Sequence, residues 1–128
     1  MTDMKKNIDD MINSIESNQQ TIDDMLSTAK ETGSRISNTM QGYAHSHSCL
    51  NKDQMTAYAE YAKAYDDVRR IYSTAPNTSQ IERISKIHNS EIAYSLLDEV
   101  NTKQLGFMEI LCNMLEKAGA AMKMLCYQ

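Results

Sequence analysis

The chain has 128 residues with one Pro, four Gly, no Trp and ten Met, and 41% of it is apolar; this length makes a single helical domain, 1–128, the default, and so few turn formers leave room only for few, long elements. Seventeen acidic against thirteen basic residues give a formal charge of -4, and the Lys and Arg are scattered instead of grouped in a stripe or tail, which argues against nucleic acid as partner. Charged or amide residues interrupt the apolar runs every few positions, well short of the roughly 20 apolar residues that cross a bilayer, so no membrane span is expected.

The N-terminal third reads as one helix, about 3–45. Ile8, Ile15, Ile22 and Ile36 share a seven-residue register, Met4, Met11 and Met25 interleave with it, and Ile8-Asp9-Asp10-Met11-Ile12 returns two heptads on as Ile22-Asp23-Asp24-Met25-Leu26. Thr2 or Asp3 is placed to cap it. Asn18, Thr32 and Thr39 are polar positions in the seam, and Gly33 and Gly42 weaken the second half, with a kink or break expected near Gly33. Ile12, Leu26 and Met40 widen the stripe, while the flanking positions hold Asn7, Ser14, Thr21 and Thr28 instead of paired Glu and Lys. This favours a bundle helix with several neighbours over a two-stranded zipper. Asp9, Asp10, Asp23 and Asp24 then lie on the solvated face.

Residues 44–52 lose the period and form the first connection, with Asn51 or Asp53 as the next cap. A second helix, about 53–74, carries Ala57, Tyr61, Ala64, Val68 and Ile71 on one stripe with Tyr58, Tyr65 and Tyr72 beside it. These tyrosines lack the basic groove that accompanies base stacking, so they are read as core and boundary packing. Ala75-Pro76-Asn77 stops that helix, because Pro removes a donor and disfavours helix at the residue before it. Ser79 and Glu82 have capping-box spacing, and the apolar pattern then runs through Ile81, Ile84, Ile87, Ile92, Leu96 and Val100 to the last residues.

Three long helices, about 3–45, 53–74 and 79–126, with coiled-coil-like packing are therefore expected: an all-α, elongated bundle. If the third helix starts upward at Pro76, its last part overhangs. That part carries Leu105, Met108, Leu111, Leu115, Ala118, Met122 and Leu125, each contributing ~1.5 to 3 kcal/mol on burial if large, so the stripe demands a cover. The alternative is a closed antiparallel four-helix bundle with a turn near 101–106. The straight helix is preferred, with the stripe as the surface for a second copy or a helical partner. Cys112, Gly119 and Cys126 share a face and are read as small residues that let helices approach closely.

Chemistry is thin in this sequence. His45, His47 and Cys49 are the one cluster with metal-ligand side chains, a weak site without a fourth ligand; no cofactor is expected. A Cys49 nucleophile would lack an oxyanion loop and an orienting acid. Di-metal carboxylate bundles need Glu-x-x-His, whereas here His88 precedes Glu91. The expectation is a non-enzymatic helical interaction or structural protein. The alternatives are a secretion-associated helical protein, either an exported filament subunit or its chaperone, and a metal-responsive regulator using His45, His47 and Cys49. Three Cys and no N-terminal apolar run fit reduced thiols in a cytoplasmic protein, with signal-less export left open.

Overall fold

The computed structural model describes residues 3–75 and 78–126, all of whose regular structure is helical. Four helices follow one another: α1 (Met4–His45), α2 (Lys52–Tyr72), α3 (Ser79–Ser85) and α4 (Ser90–Leu125). At ~1.5 Å per residue, α1 is about 63 Å long and α4 about 54 Å. The chain is an all-α helical bundle built on α4, which packs against α1, α2 and α3.

Specific cross-links fix the directions. Asn18 of α1 meets Asn101 and Gln104 of α4, and Thr39 Oγ1 lies 3.2 Å from Cys126 Sγ, so α1 and α4 ascend together. Gln54 at the start of α2 reaches the carbonyl of Met124, and Glu60 faces Lys117 at 4.0 Å, so α2 descends along the upper half of α4. Short α3 packs against the lower half of α4, where Ile84 joins Ile15, Ala93, Leu97 and Val100 in a second apolar cluster.

This route corrects the expected third helix. It is not continuous over 79–126: residues 86–89 separate α3 from α4. Asn89 there takes an extended conformation and its Oδ1 accepts from the amides of Glu91 and Ile92, a side-chain N-cap that starts α4. Reversal at this point lets α4 begin beside the N-terminal half of α1. Residues 101–106 continue the helix, with no turn. Consequently no part of α4 overhangs.

Two caps match expectation. Asp3 accepts from the amide of Lys6, and Asn51 forms a reciprocal capping box with Gln54. The Ser79/Glu82 box is not used as such: α3 starts at Ser79, and Thr78 in the cap position makes no side-chain capping bond. Thr2, Pro76 and Asn77 lie outside the described residues. No interruption occurs at Gly33, and Asp9, Asp10, Asp23 and Asp24 are exposed as expected. Ion pairs are exposed and mostly within one helix, such as Arg69–Asp66 and Lys103–Glu99, and contribute little.

Gln54 does more than cap. Its buried amide donates from Nε2 to Tyr43 Oη at 3.2 Å and to the Met124 carbonyl at 3.1 Å, tying the first turn of α2 to the ends of α1 and α4. Last-turn carbonyls have no partner within their own helix, so this bond satisfies an acceptor of the α4 terminus. Gln54→Ala should lower stability by about 2 kcal/mol. Amide exchange should rise in the last turn of α4 as well as the first of α2; a rise confined to α2 would show that the Met124 bond carries no weight.

Candidate functional site

The strict heptad on α4 is Ala93, Leu97, Val100, Gln104, Phe107, Leu111, Met114, Ala118, Ala121 and Leu125, all buried. Of the stripe expected to bind a partner, Leu111, Ala118 and Leu125 are buried within the chain. Leu111, Ala118 and Leu125 lie in the upper core with Ile22 and Ile36 of α1 and Tyr61, Ala64 and Val68 of α2. Met108, Leu115 and Met122 are half-buried, and only Leu105 stands out, 50% exposed. Cys112 and Gly119 are exposed, and a Cβ added at Gly119 would meet nothing within 4 Å, whereas Cys126, expected on the same face, is half-buried against Thr39 of α1.

His45, His47 and Cys49 are exposed in the α1–α2 connection, where His47 has a positive φ of 54°. Among the described residues, no three His, Cys, Asp or Glu side chains converge as a metal-ligand set. The His45, His47 and Cys49 pattern is thus adjacency along the chain without convergence in space among the described residues. All three cysteines are free thiols. Among the described residues, no helix is long and apolar enough to cross a membrane.

An extended open feature lies elsewhere, between α1 and α2. Both helices pack on α4, yet their backbones scarcely meet. They leave a trough of two adjoining stretches, about 440 and 320 Å³, which share Ala29, Lys30 and Tyr65. The α1 wall consists of Leu26, Ala29, Lys30, Gly33, Ser34 and Ser37, one helical face of mostly small side chains. The α2 wall carries Tyr58, Tyr61, Tyr65 and Tyr72 at helical spacing, with Ala62, Val68 and Arg69, and Ile36 and Met114 reach in from the core.

Why the trough stays open follows from side-chain size. Small residues on α1 cannot fill the space that the tyrosines of α2 border. Tyr61 alone crosses it: a Cβ added at Gly33 would lie 3.1 Å from Tyr61 Oη, so this glycine admits the phenol close to the α1 backbone. Tyr58 and Tyr65 flank Tyr61 with ring centroids 6.4 and 6.1 Å away, both tilted, a favourable aromatic arrangement. Tyr65 and Tyr72 remain 50% and 58% exposed. Comparison with protein-family models, with curated proteins and with solved structures finds no match.

A smaller cleft of about 350 Å³ separates α3 from α4, with Ile84, Ile87, Leu96 and Val100 below Arg83, Glu99 and Lys103. Its Lys103 and Glu99 pair with each other at 2.9 Å.

Burial raises the pKa of Tyr61 above its ordinary value of 10.0, and the neighbouring Tyr65 and Tyr58 raise it further. In the unfolded chain Tyr61 loses its proton near the ordinary value, while the folded state still holds it. The stabilising effect is therefore complete below about pH 10 and is lost as pH rises through the folded pKa. The denaturation midpoint should fall more steeply above pH 10 in the native chain than in Tyr61→Phe. Equal slopes would place the phenol in water.

Proposed function

We propose that this is a non-enzymatic helical interaction protein that binds an amphipathic helix, from a second copy or from another protein, in the trough between α1 and α2. One observation carries the proposal: an open, apolar-floored trough bordered by the half-exposed rings of Tyr65 and Tyr72. Helix-in-groove recognition uses such a surface, with apolar anchors from the guest at i, i+3, i+4 and i+7. Tyrosine adds contact area at small entropic cost, because only two torsions are frozen, and its hydroxyl serves the wet rim. The exported-subunit alternative would use the same surface and differ in where the partner is met.

The C-terminal stripe contributes to this role indirectly, by holding α4 beneath the trough. Size exclusion with light scattering gives the first test, since a self-assembling chain exceeds its own 14.5 kDa. Tyr65→Glu with Tyr72→Glu should return such an assembly to single chains while leaving the helical spectrum intact. For a different partner, a photoreactive phenylalanine analogue at Tyr65 should give a discrete adduct in native cells, and the same analogue at exposed Asn113 on α4 should not. A single-chain mass together with equal labelling at 65 and 113 would reject the proposal.

A further inference from the structure

We infer that the trough selects a short amphipathic helix with acidic flanks. This rests on the interaction role proposed above and specifies the guest. The charge of the walls specifies it. Among the described residues, two charged side chains line the trough, Lys30 on the α1 side and Arg69 on the α2 side, and both are basic. They stand across the gap from each other in a chain whose net charge is -4. Arg69 is held by Asp66 through its own helix, at 2.7 Å, with both side chains exposed. Lys30 makes no ion pair among the described residues.

Composition alone would predict a trough rimmed by acid. Asp66 offsets Arg69, so Lys30 leaves the walls with a net positive charge above an apolar floor, which favours carboxylates at the edge of a guest and opposes Lys and Arg there. Length sets a second limit. Leu26 to Ser37 spans about 16 Å of α1 and Tyr58 to Tyr72 about 21 Å of α2, so the guest is about 11 to 14 residues long. Tyr65, shared by the two stretches, divides the floor into two seats for apolar anchors.

The test uses the full chain and two labelled synthetic helices of about 14 residues, a length taken from the trough. Both carry leucines at i, i+4, i+7 and i+11; one has glutamate flanks and the other lysine flanks. Fluorescence anisotropy at low salt should show the glutamate peptide binding at least about tenfold more tightly, a preference that shrinks as salt screens the two cations. Lys30→Glu with Arg69→Glu should reverse the order. Lys123→Glu, an exposed change on α4, should preserve it and so separates the local effect from net charge.

Equal binding of the two peptides, or a preference untouched by Lys30→Glu with Arg69→Glu, would overturn the inference. Failure of both peptides to bind would overturn it too. In that event an adduct at Tyr65 would leave the interaction role standing and remove only the acidic guest. Loss of peptide binding together with loss of the adduct would remove both.

Discussion

Leu111→Ala should destabilise the protein by about 3 kcal/mol, whereas Leu105→Ala should change stability by less than about 0.5 kcal/mol. The two leucines are six residues apart on the most apolar helix of the chain and look equivalent in the sequence. Leu111 is fully buried where α1, α2 and α4 meet, among Ile22, Ile36, Tyr61, Ala64 and Val68. Truncation there removes its transfer free energy and leaves a cavity that three helices cannot close without moving. Leu105 is 50% exposed and gives up little. Urea midpoints of the two variants decide the matter. Similar losses would mean that Leu105 is covered after all, as it would be if the C-terminal stripe were an obligate interface. Leu111→Asp is correspondingly unsuitable for probing assembly, because a charge at that position would unfold the core.

Helix content, α1 and α2 were legible because their apolar residues repeat at helical spacing, with Asp3 and Asn51 marking the starts. The register of α4 was not legible. Its true seam contains Gln104, Ala93, Ala118 and Ala121, while larger apolar residues such as Leu105, Met108 and Leu115 sit beside it. Choosing the most apolar residue at each turn therefore rotates the stripe off the buried face. A sign of the α3–α4 break was present: Ile81, Ile84 and Ile87 step by three, but the next residue of the pattern, Ile92, comes five later and is 51% exposed. Asn89, followed by Ser90 and Glu91, is the cap that uses that slip. The trough was hidden for another reason. Its walls come from α1 and α2, and nothing in the spacing of Ala29, Gly33 and Ser37 says that they face Tyr58, Tyr65 and Tyr72.

Gln104→Ala should cost about 3 kcal/mol, and Gln104→Leu should stay within about 1 kcal/mol of the native chain. Gln104 is completely buried in the α4 seam, where it donates from Nε2 to the Ile15 carbonyl at 3.1 Å and accepts from Asn18 Nδ2 at 3.2 Å. Asn18 Nδ2 also donates to Asn101 Oδ1 at 2.7 Å. These three amides form a polar layer between the upper cluster, which begins at Ile22, and the lower one, which contains Ile15 and Leu97. Alanine would remove both hydrogen bonds and open a void at once. Leucine would fill the void; Asn18 keeps Asn101, and the Ile15 carbonyl keeps its own helical bond. The polar layer therefore contributes less to stability than to alignment, since its amides match at one relative position of α1 and α4 while the apolar heptads above and below would tolerate others. Asn18→Leu with Asn101→Leu and Gln104→Leu should accordingly raise the denaturation midpoint and multiply the backbone amide resonances of residues flanking the layer. A single sharp set of resonances in that variant would assign the alignment to the connections and to the Gln54 clasp instead.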